Sequence, residues 1–120
     1  MKKVLIIDDN FGTALTTKIS FDRNGLSADY CQSAKEAKEK LSKNSYDYIV
    51  ADIIINGDNE NGLFLCKFIK NTKPDVKFLF ITGCNPDSIY AEEAAKMAPV
   101  VFKEFSPKAL AKDIIDGKYD

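Results

Sequence analysis

Val4-Leu5-Ile6-Ile7-Asp8-Asp9 sets apolar residues in an unbroken row and closes them with two carboxylates. A strand with one wet face alternates polar and apolar side chains. A continuous Val/Ile/Leu run reads instead as a strand covered on both faces, the habit of parallel sheets. The same character returns in a weaker run around Ala28–Cys31, and then in Tyr48–Ala51, Phe78–Ile81 and Val100–Phe102. Segments with helical spacing lie between these runs. The first spans roughly Phe11 to Asn24, with Phe11, Leu15 and Ile19 in one row and Gly25 as a stop.

The second helical segment opens at Ser33-Ala34-Lys35-Glu36, which has the spacing of a capping box. The third runs from about Gly62 to Asn71 and ends before Pro74. The fourth is expected to open at Asn85-Pro86 and the fifth at Ser106-Pro107, each an N-cap followed by proline in the first turn. In the fifth, Leu110 and Ile114 share a face. Strands alternating with helices predict right-handed crossovers and an α/β fold. The expected architecture is a doubly wound, five-stranded parallel sheet of order 2-1-3-4-5, flavodoxin-like, with helices on both faces. Residues 1–120 fit one domain, with no repeat, linker or low-complexity tract.

Composition removes several functional classes. The 17 basic residues nearly balance the 18 acidic ones, for a net charge of -1, which argues against direct nucleic-acid binding. With no histidine, zinc sites of the Cys/His type and His-activated serine or cysteine nucleophiles are not expected. Cys31, Cys66 and Cys84 are dispersed without a CxxC spacing, so each reads as a small buried apolar residue in a reducing compartment. Val4–Ile7 is too short for a signal-peptide core, and no stretch approaches a membrane span. The expected setting is the cytoplasm, without membrane contact.

The chemistry sits where the strands end. The first strand ends in Asp8-Asp9, the third in Asp52, the fourth in Thr82 and the fifth in Lys103; the second ends without an obvious reactive group. In this fold, ligands bind at the carboxyl ends of the strands, beside the switch point between strands 1 and 3. Taken singly, each residue has an ordinary reading as a cap, a turn residue or a solvated lysine. Together they crowd one edge of the sheet. Three carboxylates against one ammonium leave a formal charge of -2 there, which a divalent cation neutralises. Hard oxygen ligands, few and open to water, suit Mg²⁺. A cation, a lysine and a hydroxyl beside a carboxylate are the parts that phosphoryl transfer uses.

The ordered set of Val4-Leu5-Ile6-Ile7-Asp8-Asp9-Asn10, Tyr46-Asp47-Tyr48-Ile49-Val50-Ala51-Asp52, Phe80-Ile81-Thr82-Gly83 and Val101-Phe102-Lys103 resembles the receiver domains of bacterial two-component response regulators, which share the chemotaxis-regulator fold. The resemblance implies that Asp52 takes a phosphoryl group from a phosphohistidine on a sensor histidine kinase or phosphotransfer protein. It implies Mg²⁺ held directly by Asp9, Asp52 and the backbone carbonyl of Ile54, with Asp8 acting through a metal-bound water. Thr82 and Lys103 would hold the phosphoryl oxygens. Ile54 and Cys84 would flank the hydrolytic water, and Thr82 with Val100 would form the switch. Phosphorylation would then act on an output protein or a fused output domain, through the face made by the fourth helix, fifth strand and fifth helix. Such a domain is not a turnover enzyme on an external substrate.

Four positions depart from that family's pattern. Asn56 stands where proline is usual, and Asn56–Gly62 is about two residues longer than expected. Glu104 follows Lys103 where proline, often after a cis peptide, is usual. Val100 replaces the aromatic switch residue. The missing aromatic and the missing proline support a competing reading, a docking module indifferent to phosphorylation, whereas the intact Asp8, Asp9, Asp52, Thr82 and Lys103 speak against it. A phosphatase with an aspartyl nucleophile ranks lower, because its second acid would fall at Ile54.

Overall fold

In the computed structural model, residues 1–55 and 61–120 are described. Five apolar runs become strands: β1 (Lys3–Ile7), β2 (Ser27–Cys31), β3 (Tyr48–Asp52), β4 (Lys77–Thr82) and β5 (Val100–Phe102). Helices α1 (Phe11–Arg23), α2 (Ala34–Lys43), α3 (Gly62–Thr72), α4 (Ile89–Met97) and α5 (Pro107–Ile115) connect or follow them. Every strand pairing is parallel and the sheet order is β2-β1-β3-β4-β5, as the apolar runs predict.

Both faces of the sheet are covered. Leu5, Ile7, Ile49 and Phe80 meet α2, α3 and α4 on one face. Val4, Ile6, Val50 and Ile81 meet α1 and α5 on the other. The central strand β3 is buried along its whole length. Full burial of each Ile or Val side chain contributes about 1.5–3 kcal/mol against conformational entropy. That two-sided demand is why alternation is missing from the sequence of β3.

The helix signals are met in part. Ser33 accepts the Glu36 amide at 3.1 Å, and Glu36 reaches back to the Gln32 amide at 3.3 Å, a capping arrangement at the start of α2. Ser106 caps α5, and Leu110 and Ile114 are buried on it. Gly25 takes φ 94° just past α1, a left-handed turn that favours glycine.

Two expectations need correction. The Phe11–Leu15–Ile19 row is not the core face of α1: Phe11 is 52% exposed and Ile19 41%, while Ala14, Thr17 and Phe21 are buried. Phe11 instead packs edge-on against Tyr30. Nor does α4 open at Asn85-Pro86. The Asn85 side chain accepts the Asp87 amide at 2.9 Å and its carbonyl accepts Ser88 N–H at 2.9 Å, so this pair builds a turn. Ser88 is the N-cap, accepting the Ala91 amide at 3.2 Å. Cys31 and Cys66 are buried as expected, and burial pushes the Cys31 thiol up to about 12. Cys84 is only half-buried.

Candidate functional site

The parallel register brings the strand ends to one edge. Ile7 lies opposite Ala51, Asp52 opposite Ile81, and Thr82 opposite Phe102. One residue beyond β1 and one beyond β5 therefore place Asp8 and Lys103 beside Asp52. The backbone locks these exits: the Asp8 amide donates to Cys31 O at 3.1 Å, and the Lys103 amide to Thr82 O at 2.7 Å.

Lys103 is the centre of the arrangement. Its Nζ lies 3.1 Å from Asp8 Oδ2 and 3.0 Å from Asp52 Oδ2. The other oxygen of Asp8 accepts the Asn10 amide at 2.9 Å, and Asp52 Oδ1 faces the Ile54 amide at 3.4 Å. Asp8, Asp9 and Asp52 each offer an oxygen within 4.8 Å of the others, so the cluster can coordinate a divalent metal. Its all-oxygen, anionic donor set suits a hard cation. Asp8 is fully buried and Asp52 nearly so. Burial holds the Asp52 carboxyl above its ordinary pKa, Lys103 opposes that shift, and the Asp8 charge adds to it. Burial alone would lower Lys103, but hydrogen bonding and attraction to Asp52 and Asp8 outweigh it and hold the ammonium charged.

The remaining residues singled out in the sequence fall as follows. Thr82 is fully buried, and its hydroxyl accepts the Cys84 amide at 3.0 Å. Ile54 is 39% exposed just beyond Asp52. Val100 is partly buried against the core on the α2–α3–α4 side. The Lys103–Glu104 peptide is cis although no proline follows the lysine. Asn56 and most of the lengthened segment lie outside the described residues. An open groove of about 700 Å³ leads to Lys103 between α1 and the β5–α5 connection, lined by Asn10, Thr13, Glu104, Phe105 and Pro107 among others.

Two contributors were not found by sequence reasoning. Gln32, at the exit of β2, donates from Nε2 to the Asp9 carbonyl at 3.2 Å, so the second strand also supports the site. Its position just past a strand end, like that of Asp8 and Lys103, was the available signal. Gly62 is the second. Its amide donates to Ile53 O at 2.7 Å, and a Cβ there would stand 2.2 Å from the Asp52 carbonyl oxygen. Glycine lets the start of α3 close against the backbone of Asp52, a contact without a spacing signature.

A doubly wound domain with buried carboxylates bridged by a lysine at its switch point is the class that fold and site define. Residues 4–115 match the response regulator receiver domain model. The chain belongs to that family. The receiver protein CpdR of Brucella abortus is 25% identical over 119 residues, 95% of this chain and 94% of its own length. The transcriptional regulatory protein ComA of Bacillus subtilis is 33% identical over 100 residues, and the match spans 45% of that protein. A two-component response regulator from Clostridium difficile superposes with a TM-score of 0.85 at 25% identity, covering 97% of this chain and 94% of that one. This chain is a phosphoacceptor signalling module and not a turnover enzyme. No helix among the described residues is long and apolar enough to cross a membrane.

Proposed function

We propose that Asp52 is the phosphoacceptor, receiving the phosphoryl group from a phosphohistidine on a histidine kinase or phosphotransfer protein in the cytoplasm. The observation that carries this reading is the Lys103 ammonium, held 3.0 Å from Asp52 and 3.1 Å from Asp8 inside a three-carboxylate cluster. A carboxylate oxygen of Asp52 attacks phosphorus, the P–N bond breaks, and the imidazole nitrogen leaves with the electron pair. Lys103 stays charged and follows the phosphoryl oxygens as negative charge develops on them. Thr82 gives up its contact with the Cys84 amide and donates its hydroxyl to the same group. The groove beside Lys103 is the way in for the donor imidazole.

Mg²⁺ fits the cluster, and when bound it neutralises charge shared between the carboxylates and the phosphoryl oxygens. Asp9, Asp52 and the Ile54 carbonyl would hold it, with Asp8 acting through water. Ile54 and Cys84 orient water poorly, one being apolar and the other a weak donor, so the acyl phosphate decays slowly. Output passes through α4, β5 and α5. Thr82 draws the β4–α4 connection inward, and Val100 is too small to fill the space as an aromatic would. The whole of residues 1–120 acts as one receiver, on a separate output protein or on a fused output domain. Acetyl phosphate with Mg²⁺ should add one phosphoryl group by intact mass. Persistence of that mass in Asp52→Asn, or full reaction in chelator, would sink the proposal.

A further inference from the structure

The three carboxylates of the cluster are not held alike. Asp52 is the last residue of β3 and Asp8 the first after β1, and both are buried. Asp9 lies two residues beyond β1, half-buried at a bend before α1 begins. The Asp8 amide still reaches Cys31 O at 3.1 Å, which carries the β1–β2 ladder one residue past the strands. Beyond that point the two chains part, because α1 packs on the face of Val4 and Ile6 and α2 on the face of Leu5 and Ile7. The Gln32 side chain crosses the gap, its Nε2 donating to the Asp9 carbonyl at 3.2 Å. The Asp9 carbonyl and the Asn10 amide belong to one planar peptide unit. That plane is therefore held from both sides, since the Asn10 amide donates to Asp8 Oδ1 at 2.9 Å. Gln32 is itself braced from α2: its backbone amide donates to Glu36 Oε2 at 3.3 Å, and the Glu36 amide to Ser33 Oγ at 3.1 Å.

We propose that Gln32 is a positioning residue for the metal site: by holding the Asp9 carbonyl it fixes the backbone from which the Asp9 carboxylate reaches the cation. This role rests on the reading of Asp9 as a direct Mg²⁺ ligand, and it falls to a residue outside the ligand set. Mg²⁺ demands near-ideal octahedral geometry, so it tolerates misplaced oxygens poorly. A ligand on an unbraced bend would have to be ordered each time a cation arrives, and that entropy would be lost from the affinity. Groups that orient metal ligands are worth about 10–100-fold in affinity. Gln32 grips the ligand's backbone and not its carboxylate, which places it at the low end of that range. The residue type fits the task. A carboxylate could not donate to a carbonyl, and a lysine or arginine would add a charge that repels the cation. The neutral amide supplies position and leaves the charge of the cluster as the three carboxylates and Lys103 set it. The cluster is thus held from both edge strands, by Lys103 after β5 and by Gln32 after β2.

Titration calorimetry of the whole chain with Mg²⁺ alone, in the absence of phosphodonor, tests the proposal. Gln32→Met keeps the length and bulk of the side chain and removes the donor, so a role in packing alone would survive it. Its Kd for Mg²⁺ should rise about tenfold. In an Asp9→Ala background, where the ligand is already gone, the same substitution should add no comparable loss. A second readout needs no metal: in chelator, hydrogen exchange at the Asn10 amide should be faster in Gln32→Met, because the peptide plane is released on one side. Gln32→Met that binds Mg²⁺ as the parent does, while Asp9→Ala binds it weakly, overturns the role of Gln32 and leaves the metal assignment standing. Asp9→Ala that binds as the parent does removes the assignment, and the role of Gln32 with it. An equal loss from Gln32→Met in both backgrounds also overturns it, since the residue would then act elsewhere than through Asp9. So does Asn10 exchange in chelator that the substitution leaves unchanged.

Discussion

The two ends of the sheet use charge in opposite ways. At the amino ends of the strands, charged groups stay near the surface and each has a structural task. Asp47 accepts the Lys3 amide at 2.8 Å, the Lys2 ammonium donates to Ile114 O at 2.8 Å, and Lys2 stands 3.7 Å from Asp120. At the carboxyl ends, Asp8 and Asp52 are taken out of water and share one lysine. Burying like charges costs stability unless something neutralises them. The amino end could exchange its charges at small cost, whereas the carboxyl end holds an arrangement that folding alone does not favour. Function is to be sought where folding is opposed.

The largest expected effect falls at the lysine. Lys103→Met leaves the carboxylates facing each other and the incoming phosphoryl oxygens without a cation. Labelling by acetyl phosphate should slow by about 10²-fold, in line with removal of one preorganised charge from a reacting site. A rate within a factor of two of the parent would mean that Lys103 is only a structural counter-ion. Next is Gly62→Ala, whose Cβ would meet the Asp52 carbonyl oxygen at 2.2 Å. It should cost about 3 kcal/mol, the upper range for overpacking, read as a lowered urea midpoint.

A smaller effect has the opposite sign. Burial holds Asp52 above its ordinary pKa of 3.8. An acid shifted upward in the folded state leaves stability intact below its unfolded pKa and removes it as pH rises through the folded value. In chelator, Asp52→Asn should therefore melt a few degrees above the parent at pH 7, and the gain should shrink toward pH 4. Mg²⁺ should raise the parent's melting temperature by binding the folded state, and do so less in Asp9→Ala than in Asp8→Ala. The smallest effect belongs to the amino end. Asp120→Asn removes an exposed pair and should change stability by less than about 0.5 kcal/mol without altering phosphorylation. A large loss there would undo the contrast between the two ends.

The same contrast explains what the sequence could show. Strands covered on both faces write continuous apolar runs, so β1, β3 and β4 and the sheet order they imply were legible. Residues that exit such strands fall at one edge by topology alone, which is why Asp8, Asp52 and Lys103 could be placed together before their distances were known. What stayed hidden depends on contacts between distant segments. The face that α1 buries is settled by Ala14, Thr17 and Phe21, two of them small or polar, so the larger Phe11 and Ile19 misled. Asn85-Pro86 carries a turn signal and a cap signal at once, and Ser88 takes the cap. Gly62 acts through closeness to a residue ten positions earlier, and Gln32 through a carbonyl across the sheet edge.

The central claim is that Asp52, and not one of its two neighbouring carboxylates, carries the phosphoryl group. Borohydride reduces an aspartyl phosphate to homoserine, so trapping after acetyl phosphate treatment followed by peptide mapping reads the acceptor directly. Homoserine at position 52, dependent on Mg²⁺, is the predicted result. Homoserine at position 8 or 9, or a stable phosphoryl adduct that borohydride leaves untouched, would contradict the account.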